Sequence, residues 1–142
     1  MATAFYPYLF FSGDCRAAFE RYGSIFGGEL TILGNADVPE GEEMPGAPAD
    51  FVMHAAISLP GGGLLMGSDD PTGDGGPKTG ISVNVSVDSV DEARRVYDAL
   101  VADGGTVDMP LEASFFSPAF GGVTDRFGVS WLVGAEAPAG DG

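Results

Sequence analysis

Two glycine pairs, Gly27-Gly28 and Gly104-Gly105, each close a stretch of helical periodicity, and each stretch has a β-prone run before it and several after it. In the first copy, Tyr6 to Ser12 is an aromatic strand broken at Ser12-Gly13-Asp14, where Ser or Asp can cap a helix. Apolar residues then recur at Cys15, Ala18, Phe19, Tyr22, Ile25 and Phe26, the spacing of one helical face. Glu29 to Leu33 is a second short strand, and Gly34 to Asp50 an aperiodic loop rich in Pro, Gly and acid. Phe51 to Leu59 and Leu64 to Ser68 form a hairpin turned by Pro60-Gly61-Gly62-Gly63; without Gly-Lys-Ser/Thr and a following helix, this is no phosphate loop.

The second copy repeats that order. Ile81 to Val87 alternates as a strand, Ser89-Val90-Asp91-Glu92 is a capping box, and Ala93, Val96, Tyr97, Leu100 and Val101 make an apolar helical face. Thr106 to Met109 is again a short strand, and a Pro- and Phe-bearing segment leads from Pro110 to a closing hairpin over Phe120 to Val133. The hairpin's turn is Asp125-Arg126-Phe127-Gly128.

A strand-helix-strand-strand-strand order that occurs twice fixes the fold class. Each unit leaves one sheet face uncovered by its helix and needs a partner for it. The prediction is an α+β protein of two βαβββ modules, at 5–70 and 80–135, with a linker at 71–79 and a tail at 136–142, all within one domain spanning 1–142. Two such copies, in one chain or across a dimer, curve mixed sheets around a shared cleft, the natural place for a ligand. A chain of 142 residues buries a core without staples, and the lone Cys15 has no partner within the chain, so a reducing, cytoplasmic setting is expected. MATAFYPYLFF lacks the positive flank of a signal peptide and is too short to span a bilayer. Twenty-one acidic against six basic residues give a formal charge of -15, which argues against nucleic acid or an anionic membrane as partner and suits solubility in high salt.

His54 is the only histidine, and imidazole is the side chain whose ordinary titration lies near neutrality, so His54 is the candidate for catalytic proton transfer. Its plain alternative is a strand histidine hydrogen-bonded between neighbours. Alternation groups Val52, His54 and Ala56 on one face and Met53, Ala55 and Ile57 on the other, without saying which face meets a ligand. Ser68 and Asp69 end a strand as a possible acceptor pair for a ligand, although turn capping explains them as well. Ser82 and Asn84 share a face of an otherwise apolar strand, where dry polar groups cost energy, so that face is wet, ligand-lined or cross-bonded. Phe116 and Trp131, with Phe115 and Phe120, form an aromatic group that suits a pocket wall or a packed core. Cys15 at a helix start is read as a buried thiol in preference to an activated one. Asp70, Thr72, Asp74 and Gly75 imitate a calcium loop, but its twelfth position is Ile81.

In this order, three groups of residues resemble the vicinal oxygen chelate superfamily, and within it the PhnB-like group. They are Tyr8-Leu9-Phe10-Phe11-Ser12-Gly13-Asp14-Cys15 with Ala18-Phe19, Tyr22 and Phe26-Gly27-Gly28, then Leu65-Met66-Gly67-Ser68-Asp69, and finally Val123 to Trp131. Arg126 stands where the group commonly has proline. The resemblance implies the paired βαβββ fold, usually as a homodimer. In metal-dependent members it implies four ligands, placed here near Pro7, Met66, Ser82 and Leu132, none of them a good nitrogen or carboxylate donor. The expected function is capture of a small organic molecule in a dimer cleft, with no tightly bound metal and no cofactor. Two alternatives stand beside it: a metal-dependent lyase or dioxygenase with an atypical site using His54 or Asp69, and a structural, partner-binding dimer.

Overall fold

A computed structural model describes residues 4–34, 37, 40–41, 50–70 and 80–136. The expected 71–79 linker, residues 137–142 of the expected tail and most of the expected 34–50 loop lie outside the described residues. Among those described, the elements follow as β1 (Tyr8–Phe11), α1 (Cys15–Phe26), β2 (Glu29–Gly34), β3 (Val52–Ser58), β4 (Leu64–Asp69), β5 (Val83–Val87), α2 (Val90–Val101), β6 (Thr106–Glu112), β7 (Phe120–Thr124) and β8 (Ser130–Ala135). The chain divides into two compact units, Met1–Gly76 and Pro77–Gly142. Each holds a four-stranded mixed sheet, in the orders β1-β4-β3-β2 and β5-β8-β7-β6. The expected α+β architecture of two βαβββ modules is therefore the one the chain adopts. No helix among the described residues is long and apolar enough to cross a membrane.

In the first unit, β2, β3 and β4 are antiparallel neighbours, while β1 lies beside β4 as a parallel pair. The α1 face foreseen from spacing is the buried one, with Cys15, Ala18, Phe19, Tyr22 and Ile25 inside. Phe19 stacks edge-on against both Phe11 and Tyr22. Gly67 of β4 makes this packing possible, because a Cβ there would lie 2.7 Å from both the Leu9 carbonyl and the Phe19 ring. Asp14 occupies the N-cap position without a side-chain cap. The cap comes from Asp69, whose Oδ1 accepts the N–H groups of Gly13 and Cys15 at 2.9 and 3.1 Å.

The second unit repeats the pattern with local differences. Ser89 caps α2 as foreseen, its Oγ accepting the Glu92 N–H at 3.1 Å. The reciprocal half of the capping box is missing, because the Glu92 carboxylate turns to the Arg95 guanidinium at 2.7 and 2.8 Å. β5 begins at Val83, which leaves Ile81 and Ser82 outside the strand. β6 continues through Pro110 to Glu112, past its expected end at Met109. Proline is tolerated there because β6 is an edge strand whose register slips on both sides of Met109. The last hairpin closes with the Gly128 N–H donated to the Asp125 carbonyl at 3.0 Å, and with Gly128 at φ 87°, a conformation that favours glycine.

Candidate functional site

Pairing register divides the first sheet into a face under α1 and an open face. Leu9, Gly67 and Ala55 are aligned across β1, β4 and β3, and Phe19 of α1 lies against Gly67. The next row, Tyr8, Met66, Ala56 and Thr31, therefore belongs to the open face, as do Phe10 paired with Ser68 and His54 paired with Leu33. Three large apolar groups remain accessible there: Tyr8 at 38 %, Phe10 at 48 % and Leu33 at 38 %. His54 sits among them, half-buried, with its Nδ1 3.2 Å from the Tyr8 hydroxyl and the two ring centroids 5.8 Å apart. Tyr8 in turn leans on Phe10, with centroids 5.2 Å apart. His54 thus lies on the face of the sheet turned away from α1. Val52 does not keep to the alternation: the register slips between Leu33 and Gly34, and Val52 is wholly buried while His54 stays partly open.

Ser68 and Asp69 differ although they adjoin. Ser68 lies on the open face, paired with Phe10 and buried on β4, the strand between β1 and the β3 that carries His54. Asp69, expected as a ligand acceptor, is 2 % exposed, and besides Gly13 and Cys15 it accepts the Val52 N–H at 2.9 Å on Oδ2. Three backbone donors occupy this carboxylate, so its job is to fasten β4 to the start of α1 and of β3. Cys15 beside it is fully buried, and its thiol is pushed up to about 12, by burial first and by the Asp69 charge second. It is a packed thiol, as foreseen, and not an activated nucleophile.

In the second unit, Asn84, Leu132 and Gly122 form one row across β5, β8 and β7. Asn84 is exposed on this open face, and a Cβ at Gly122 would meet the Leu132 and Met109 side chains at 3.2 and 3.7 Å. Ser82 reaches the same side of the sheet, its Oγ 2.6 Å from that of Ser130, so at least part of its hydrogen bonding is cross-strand. Phe116 is 55 % exposed and packs edge-on against Phe120 at 4.9 Å and Phe115 at 5.1 Å. Buried Ser117 holds this segment, with its Oγ 2.6 Å from the Ala135 carbonyl oxygen. Trp131 does not join that group. It pairs with Val83 and Val123 on the opposite face, is 1 % exposed, and donates its indole N–H to Asp125 Oδ2 at 2.9 Å. Of the two readings of the aromatic group, Trp131 takes the packed-core one, with its indole N–H used inside the fold.

The four positions implied for metal ligands do not form a donor set. Pro7 offers only its carbonyl, which accepts the Met66 N–H at 3.1 Å; Met66 is a thioether, Ser82 is bonded to Ser130, and Leu132 is a hydrocarbon. Among the described residues, no three of His, Cys, Asp and Glu come together as a cation site. Sequence reasoning passed over Tyr8 as the partner of His54, and Asp125 as the partner of Trp131.

Comparison with known proteins agrees with the paired-module fold. Residues 3–134 match the family model described as 3-demethylubiquinone-9 3-methyltransferase. Protein PA1353 from Pseudomonas aeruginosa is 41 % identical, with a TM-score of 0.84, covering 95 % of this chain and 98 % of that one. A putative 3-demethylubiquinone-9 3-methyltransferase, PhnB protein, from Bacillus cereus is 27 % identical with a TM-score of 0.70, covering 94 % and 99 %. A glyoxylase/bleomycin resistance protein/dioxygenase domain from Frankia sp. EAN1pec, 16 % identical over 96 % and 99 % with a TM-score of 0.60, shares the fold.

Proposed function

The chain belongs to the 3-demethylubiquinone-9 3-methyltransferase family, a PhnB-like branch of the vicinal oxygen chelate superfamily, and from that premise we propose that it captures a small organic molecule in a homodimer cleft without a tightly held metal. The observation that carries this reading is the open face of the first sheet. Exposed Tyr8, Phe10 and Leu33 surround a single imidazole, an apolar surface with few and specific polar groups, which is the usual make-up of a small-molecule site. His54 and Ser68 would address a ligand on that face, with Asp69 supporting it from beneath. The second unit's own open face offers Ser82, Asn84 and Phe116, with Trp131 on the side beneath it. Phe115, wholly exposed, and Ile81, 71 % exposed, are the kind of apolar surface that a second copy would cover. The methyl transfer named by the family model is not part of this proposal, because family membership is a weak guide to chemistry.

The test is a thermal-shift screen of the purified chain against neutral aromatic and aliphatic small molecules, since a ligand that binds the native state raises its stability. At least one class should raise Tm in a concentration-dependent way. If none does while the chain sediments as a dimer, the partner-binding reading replaces this one. Metal analysis after dialysis should find Ni, Zn, Mn and Fe well below one per chain. A stoichiometric metal that survives dialysis would return the site to the lyase or dioxygenase reading.

A further inference from the structure

We infer that Tyr8 is a positioning residue for His54, holding its imidazole in the tautomer that presents an Nε2–H donor, and that the open face thereby selects neutral, planar, apolar molecules carrying a carbonyl oxygen. This rests on the small-molecule reading above and names the ligand class for the same face. The Tyr8 hydroxyl lies 3.2 Å from Nδ1 of His54. A phenol O–H is the better donor of the two groups and an imidazole nitrogen the better acceptor, so the stable arrangement has Tyr8 donating to Nδ1. The hydrogen bond made by one ring nitrogen decides which tautomer is present, and a proton excluded from Nδ1 resides on Nε2. Within the first unit, among the described residues, Nε2 has no protein partner. It is a donor available to an acceptor atom from outside.

The surroundings set the rest of the specificity. β1 to β4 contain no lysine or arginine, and the whole chain carries a formal charge of -15, so a carboxylate or phosphate ligand would meet no countercharge from these strands. The rings of Tyr8 and Phe10, with centroids 5.2 Å apart, and the side chain of Leu33 offer contact to a flat apolar body. A ketone or aldehyde oxygen satisfies the Nε2–H without importing charge. Ser68, small and buried on the intervening strand β4, leaves room for the Tyr8 side chain to reach toward β3.

His54 is the only histidine, so its ring nitrogens give two unambiguous signals in a nitrogen-15 spectrum of the full chain. In the wild type at alkaline pH the one-bond proton coupling should lie on Nε2, and Tyr8→Phe, which keeps the ring and removes the donor, should move the Nδ1 resonance downfield by several ppm. A proton on Nδ1, or an Nδ1 signal indifferent to Tyr8→Phe, overturns the positioning role. The ligand class is tested with two near-isosteric probes, 2-acetonaphthone and 2-isopropenylnaphthalene, which differ only in carbonyl against methylene. The ketone should bind the wild type about tenfold more tightly, a ratio typical of one net hydrogen bond. Tyr8→Phe should shrink that ratio at least about threefold, with both probes measured on each protein so that any common change in affinity cancels. Equal binding of the two probes by the wild type, or no binding of either, overturns the carbonyl preference. The broader small-molecule reading is judged separately, by the thermal-shift screen.

Discussion

A carboxylate that accepts three backbone N–H groups cannot be replaced by anything that offers fewer lone pairs. Asp69→Ala leaves the donors of Gly13, Cys15 and Val52 without their acceptor and should cost about 3 kcal/mol or more in urea unfolding. Gly67→Ala acts by crowding instead: the new methyl meets Phe19 and the Leu9 carbonyl, with a cost of about 1–3 kcal/mol. Cys15 yields a pH dependence whose sign follows from its raised value. The folded thiol holds its proton up to about 12 while the unfolded one loses it near its ordinary value of 9.0, so stability is intact below pH 9 and falls as pH rises toward 12. Relative to Cys15→Ala the wild type should lose up to about 4 kcal/mol over that window, read by denaturant unfolding at each pH. Below it, the native thiol should react with iodoacetamide far more slowly than the unfolded one. None of these contacts could be read from local pattern. Asp69 lies 54 residues beyond Cys15, and Tyr8 sits in a run, Tyr8-Leu9-Phe10-Phe11, whose two faces are equally apolar, so period two does not single it out.

Elements were far more legible than contacts. Both helices announce themselves through residues three and four apart, because the buried stripe is the one that packs, and Ser89 marks the start of α2 with a cap three residues long. Strand β3 was legible as a strand but not in its facing. VMHAAIS has nearly continuous apolar character, and the slip opposite Leu33 and Gly34 breaks the alternation just before His54. The closing hairpin was visible from its turn, yet the turn's purpose was not: Asp125 accepts the N–H groups of Phe127 and Val129 on Oδ1 as well as the Trp131 indole on Oδ2. Asp125→Ala should therefore loosen turn and core together, costing about 2 kcal/mol or more. Because Trp131 is the only tryptophan, its side-chain N–H resonance should move markedly and its fluorescence should report the change directly.

At the scale of the molecule, a formal charge of -15 per chain means that two copies repel before they touch. If the proposed dimer forms through apolar surface, raising salt from about 50 to about 500 mM should strengthen it, by screening that repulsion while leaving the apolar contact in place. Sedimentation equilibrium across that range checks the sign, and a dimer that dissociates with added salt would point to an ion-paired interface instead. The parallel pairing of β1 with β4 also has a kinetic consequence. Tyr8 is aligned with Met66, and Val83 of the second unit with Trp131, so the outer strand of each sheet meets its neighbour only across almost the full length of its unit. During synthesis β1 emerges first and waits, aromatic and unpaired, until β4 has been made, and β5 waits in the same way for β8. Such long loops slow folding, and the exposed strand is open to wrong partners in the interval. The two aromatics that give the open face its character, Tyr8 and Phe10, are thus also the residues that a nascent chain must keep out of trouble the longest.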